Sequence, residues 1–320
     1  MVYFLIFLAL LDLASPAQAG VNKAYLMAAH TCDTSAGPSG YCDDPTYHTT
    51  QILESDDGST WSKVYGFPTA WQGSVPDLVV RSNVLYVYNP GFVRRIRTGG
   101  GALLGTEAVS ITDSSGARVN FVDPCPVLDP TTNKIVLFYL DSTGVTGDPG
   151  GCTSGYPCTK YIRSATESGS RGRAFIQDAG DRVAITITSA SDTVGILATD
   201  PDVFPDPSGY VLLVSRGGRT QAFTSTTLAG SYTPITTLTD GILIDGLSGV
   251  TAGHYDKSSS QYSIYGHDSN SPSVIRQATA AGLSTVLRNT DFTTILTSFV
   301  VGLNPVNFLI ASPGVTEVSP

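Results

Sequence analysis

The feature that most limits the fold of this chain is a unit written four times. Val75-Pro76-Asp77-Leu78-Val79-Val80, Asp123-Pro124-Cys125-Pro126-Val127-Leu128, Asp200-Pro201-Asp202-Val203-Phe204-Pro205 and the weaker Val250-Thr251-Ala252-Gly253-His254-Tyr255 align without gaps. A short turn and a second apolar segment follow each: Val84 to Tyr88, Lys134 to Leu140, Tyr210 to Ser215 and Gln261 to Tyr265. A third segment comes next, at Phe92 to Thr98, Lys160 to Ala165, Gln221 to Ser225 and Ser273 to Ala278. Self-similarity at about 50 residues, with three or four short strands per unit, is the mark of a β-propeller. Positions 76, 124, 201 and 251 lie 48, 77 and 50 residues apart, and the long interval holds an inserted loop around Cys152 and Cys158. Asp129-Pro130-Thr131-Thr132-Asn133 and Asp206-Pro207-Ser208-Gly209 supply tight turns between first and second strands.

The two ends of the chain complete a fifth unit. Asn307 to Ala311, following Pro305, reads as an inner strand, and Tyr25 to Ala29, His48 to Ser55 and a strand near Val64 supply the rest. A ring closed by strands from both termini leaves no sheet edge free. The expected fold is therefore all-β, a five-bladed β-propeller closed by both termini. Composition agrees. Among 320 residues there are 33 Gly and 19 Pro but only four Glu and five Lys, so good helix formers are scarce. That excludes a helical bundle and argues against a doubly wound α/β fold. A 41% hydrophobic content excludes disorder, and a formal net charge of −9 argues against nucleic acid or an anionic membrane as partner.

Residues 1–19 read as a secretory signal: an apolar run from Phe4 to Leu11, then Ala17-Gln18-Ala19 before Gly20. Residues 20–320 then form a single propeller domain, secreted to the periplasm or the extracellular space, monomeric, and not inserted in a membrane. The cysteines fit export. Cys32 with Cys42, and Cys152 with Cys158, each flank a turn-rich loop in which a short-range disulfide closes easily, leaving Cys125 as a buried thiol. No Cys-x-x-Cys or histidine cluster indicates a metal site.

Two motifs carry a family resemblance. Glu54-Ser55-Asp56-Asp57-Gly58-Ser59-Thr60-Trp61 is similar to the Asp-box of sialidase-like propellers, with Asp56, Gly58, Thr60 and Trp61 at the matching positions. The resemblance implies an outer turn that Asp56 caps, with Trp61 packed between blades. Thr166 to Phe175 looks like a decayed copy. Asp123-Pro124 and Asp200-Pro201-Asp202-Val203-Phe204, each leading into a second apolar strand, resemble the inner-strand signature of five-bladed furanosidase-type glycoside hydrolases of families 43, 32 and 68. These families place a base or nucleophile, a pKa-tuning aspartate and a general-acid glutamate on the inner strands of three blades. Glu54, Glu107, Glu167 and Glu317 all fall outside the aligned inner-strand positions, so aspartate replaces the acid here.

The resemblance implies a carbohydrate-active propeller, glycoside-hydrolase-like, with Asp77, Asp123, Asp200 and Asp202 as the catalytic candidates. Asp77 is the candidate base, Asp123 the pKa modulator, and Asp200 or Asp202 the acid. Strand alternation puts Asp200 and Asp202 on one face, with Asp123 aligned to the former and Asp77 to the latter. The competing reading of an aspartate before proline is a turn that caps free backbone N–H groups. His254, Arg94, Arg216, Trp71 and Tyr88 are candidates for holding a sugar. No cofactor is called for, although crowded aspartates can hold Ca²⁺. The alternative function is a glycan- or protein-binding or adhesion propeller without catalysis.

Overall fold

The computed structural model describes residues 20–38, 41–68, 70–247, 249–268 and 273–318. The signal segment read in residues 1–19 lies outside the described residues. The chain is all-β, its helices being short 3-10 turns, and its strands form five sheets in a propeller-like arrangement. Among the described residues no helix is long and apolar enough to cross a membrane.

Four sheets follow one another along the chain. Sheet I holds Asp77–Arg81, Val84–Asn89, Phe92–Arg97 and Leu103–Ala108. Sheet II begins with Phe121–Asp129, Lys134–Asp141 and Cys158–Glu167, sheet III with Thr199–Asp206, Gly209–Ser215 and Arg219–Ser225, and sheet IV with Thr251–Asp256, Gln261–Asp268 and Val274–Ala280. Sheet V is assembled differently. Its inner strand Phe308–Glu317, from the end of the chain, pairs antiparallel with Tyr25–Asp33, which pairs with Thr49–Ser55. The chain thus lays down four consecutive blades where five were expected, the remaining sheet being a composite of its two ends.

Strand alternation explains why no single central core is needed. In sheet I, Tyr86 and Tyr88 pack against Ile135, Leu137 and Tyr139 of sheet II, whereas Leu85 and Val87 pack against Leu26, Ala28 and Ile52 of sheet V. Sheet II repeats this, turning Val136, Phe138 and Leu140 toward Val203, Leu212 and Val214 of sheet III. Both faces of each sheet are dry, so the middle strands read as continuous apolar runs. The inner strands lie side by side in the order I, II, III, IV, V, with that of sheet V against that of sheet I.

The inner strands share a kink that the sequence spelled but did not reveal. Val75, Asp123, Asp200 and Ser312 have φ of 41°, 52°, 51° and 52°, and each precedes a proline. Left-handed backbone costs a non-glycine residue on the order of 1–3 kcal/mol. In sheet IV the positive φ falls one residue before the aligned Val250, at Gly249, with φ 106°. The pairing register shifts at three of these bulges. The fifth copy of the motif is therefore Ser312-Pro313-Gly314, not the segment after Pro305. The inner strand runs on to Glu317, well past the expected end at Ala311.

Candidate active site in the channel

The bulges decide where the four candidate aspartates go. They line one void of about 20 Å³, together with Pro76, Pro124, Pro201 and Pro313. That is room for about one water molecule. Because the register slips between Thr199 and Asp202, Asp200 and Asp202 do not act as one face, contrary to simple alternation. Asp200 groups with Asp123, whose Oδ2 accepts the Asp200 N–H at 3.3 Å. Asp202 groups with Asp77 and Cys125, their oxygens and Sγ all lying within 4.8 Å of one another.

Each carboxyl is held above the ordinary carboxylate range, and burial is the main cause in every case. Asp200 is pushed up to about 6 and Asp77 to about 7, the latter opposed by hydrogen bonds from Leu78 N–H at 2.7 Å and from Cys125. Asp123 is driven well above by burial and then by the charge of Asp200. Asp202 is driven well above by burial and then by Asp77, against one hydrogen bond from Gly253 N–H at 2.9 Å. Each pair thus crowds two carboxyls that burial has already raised, an arrangement that can separate a proton donor from a proton acceptor. Asp77, Cys125 and Asp202 could also serve as a three-ligand set for a divalent ion.

Two residues near the upper pair escaped sequence reasoning. Asp148 lies on the inserted loop, where its charge helps raise both Asp123 and Asp200. Lys160 is buried at 7% exposure; burial lowers its pKa and Asp148 opposes that shift. Asp148 sits on an insertion with no counterpart in the repeat, and Lys160 opens a third segment whose other copies begin with Phe92, Gln221 and Ser273, so alignment flagged neither.

Solved structures share this fold. The inulosucrase from Halalkalicoccus jeotgali bound to kestose superposes with a TM-score of 0.54 at 12% identity, over 87% of this chain and 84% of that one. A GH43_1 enzyme from Xanthomonas citri complexed with xylotriose gives 0.48 at 13% identity, over 95% of this chain and 90% of that one. The fold is that of the glycoside hydrolase propellers. No protein-family model and no curated protein matches the sequence.

The remaining sequence candidates sit between sheets. Trp71 is buried beside sheet I, donates to Asn89 Oδ1 at 3.3 Å, and carries the Arg94 guanidinium 4.8 Å from its ring centroid. Tyr88 is fully buried and donates to the Gly172 carbonyl at 2.8 Å. Arg216 pins the loop at 195–197 through the Gly195 and Leu197 carbonyls and also bonds Gln221. None of these four lines the channel void. His254 packs against Tyr25, ring centroids 4.6 Å apart, beside a second cavity. Around Trp61, Asp57 rather than Asp56 caps the turn, accepting from Ser59 N–H at 2.8 Å and Thr60 N–H at 2.7 Å. Asp56 faces solvent 3.5 Å from Lys23 Nζ. Trp61 is buried between sheets IV and V, edge-on to Tyr265. Both expected disulfides form, Cys32–Cys42 and Cys152–Cys158, with Cα atoms 5.9 and 5.7 Å apart. Cys125 is free and buried.

Proposed function

We propose that this is a secreted, carbohydrate-active propeller of the glycoside hydrolase type, a single domain whose five sheets close into a ring. The observation that carries the reading is the Asp123–Asp200 pair at a water-sized void, on inner strands of a fold shared with a glycan-processing enzyme. The five interfaces of apolar residues, one between each pair of neighbouring sheets, support closure. Two disulfides support an oxidising compartment.

In this reading Asp123, kept protonated, is the acid, and Asp200 is the base. Activity then rises as pH climbs through about 6 and Asp200 ionises. Asp77 and Asp202 stand one proline further down the channel and keep its lower half free of fixed charge while they hold their protons. A second reading, glycan binding without turnover, draws on the backbone N–H groups that occupy one oxygen each of Asp77, Asp123 and Asp202.

The test is a glycan array run beside chromogenic fructosides, xylosides and arabinosides, starting from kestose and xylotriose. Asp123→Asn and Asp200→Asn are each expected to lower turnover by about 10²–10⁴-fold while melting temperature and glycan binding persist. Turnover within twofold of the parent in both variants overturns the catalytic roles. Binding without turnover in the parent selects the second reading, and neither binding nor turnover removes carbohydrate altogether.

A further inference from the structure

The structure assigns a second ligand site, for a single neutral sugar ring, to the cavity at the far end of the channel from Asp123 and Asp200. This cavity measures about 300 Å³, the lower end of the range for small-molecule sites. Asp77 and Asp202 form its floor, Tyr210 and Tyr255 stand in its walls, and Lys257 and Glu317 also line it. It ends blind at the proline-ringed void of about 20 Å³, so a chain cannot thread through it and a free or terminal unit is what fits.

His254 supplies the independent sign. It lines the cavity, is only 7% exposed, and neither ring nitrogen has a hydrogen-bond partner among the described residues. Native proteins rarely leave a buried polar group unpaired without a purpose. Both nitrogens are sealed off in this conformation, so a turn of the ring toward a ligand hydroxyl gives up no existing hydrogen bond. Burial holds the imidazole neutral, its pKa lowered to about 4. One nitrogen then donates and the other accepts, which suits hydroxyl groups. Asp202, with one oxygen on Gly253 N–H, keeps the other for a ligand. Aromatic walls with a few mixed donors and acceptors favour a ring-shaped polyol over an ion.

The choice of a sugar rests on the carbohydrate reading above, whereas the site itself rests on the cavity. The chain has only four histidines, so its imidazole signals can be followed individually by NMR, His254 being assigned through His254→Gln. Xylose, fructose and galactose titrated into the full chain should move the His254 signal saturably. His254→Phe, and independently Tyr255→Ala at the half-buried wall, should weaken binding of the same sugar at least tenfold by calorimetry. A His254 signal that stays still at about 100 mM of every sugar overturns the site, even where glycosides are turned over at the other end. A signal that moves while no glycoside is cleaved leaves this site standing and removes only the catalytic roles. Displacement by Zn²⁺ alone, with no response to sugars, makes the floor a metal site and overturns the sugar.

Discussion

Asp57 and Asp77 both accept backbone N–H groups from residues just ahead of them, and there the likeness ends. Asp57 stands at a solvent-facing turn, where the Thr60 N–H first of all holds its carboxyl below the usual range. Asp192 and Asp256 behave alike, each pulled down to about 2, the one chiefly by Thr188 N–H and the other by the Ser259 hydroxyl. Asp77 makes a comparable bond in the channel, yet burial lifts it to about 7. A hydrogen bond of ordinary length is outweighed there because, among the described residues, no cation stands beside the carboxyl to offset its burial. The lesson is that the motif an aspartate sits in does not set its state. What surrounds its second oxygen does.

The comparison is most severely tested by the buried acid that does have a cation. Glu167 is fully buried between sheets I and II, but Arg81 clamps both its oxygens and Gly172 N–H bonds it as well. Arg81→Ala should destabilise the protein by about 3–5 kcal/mol in urea unfolding, because an uncompensated buried charge remains. A loss under about 1 kcal/mol would mean that buried acids here are tolerated without a partner, and the contrast would lose its basis.

Next in size is Asp77→Asn. The folded pKa of Asp77, about 7, lies above its ordinary value of 3.8. Its contribution is therefore complete below about pH 4 and is lost as pH rises through 7. The asparagine variant should be more stable than the parent at pH 8, by roughly 2–4 kcal/mol, and no more stable at pH 4. The histidines work the other way. His254 and His267 are lowered to about 4 from 6.5, chiefly by burial, so their contribution is full above pH 6.5 and lost as pH falls toward 4. Asp200, raised to about 6, acts in the same sense as Asp77, so the two aspartates and the two histidines largely cancel between about pH 4 and 6, and the parent should decline above about pH 6.5. A steady rise through pH 7 would contradict the channel values.

The smallest effect belongs to the rim. Asp57→Ala removes an acceptor from two backbone N–H groups that water can still reach, so about 1 kcal/mol is expected at pH 7. Since its folded pKa is depressed, that difference should vanish as pH falls below about 3.8. Asp57→Asn should recover part of it, whereas the same change at Asp77 improves on the parent.

The strand triplets of sheets I to IV were legible because an apolar run between turn residues has few other fates. The disulfides were legible because each pair brackets a short loop. The convergence of Asp77, Asp123, Asp200 and Asp202 followed from the repeat. Their division into two pairs did not, since it depends on left-handed backbone at Asp123 and Asp200, where a β-propensity argument expects extended chain. Pro305 fits the 50-residue period, whereas Ser312-Pro313-Gly314 carries the actual geometry. Gly314 itself is required: a Cβ there would meet Asp77 Oδ1 at 2.3 Å. Asp148 and Lys160 belong to an insertion and its exit strand, and only folding brings them to Asp200.

Sheet V has a consequence for how the molecule is made. Its strands Tyr25–Asp33 and Thr49–Ser55 are synthesised before those of sheets I to IV, and their partner Phe308–Glu317 after them. At common rates of translation the interval is on the order of 10–50 s. Throughout it, Leu26, Met27 and Ala28 belong to a strand with an unmet edge, the kind of edge that recruits strands from other chains. Every newly made copy passes through that open state, and the ten residues that end it arrive only after the strands of sheets I to IV have been made.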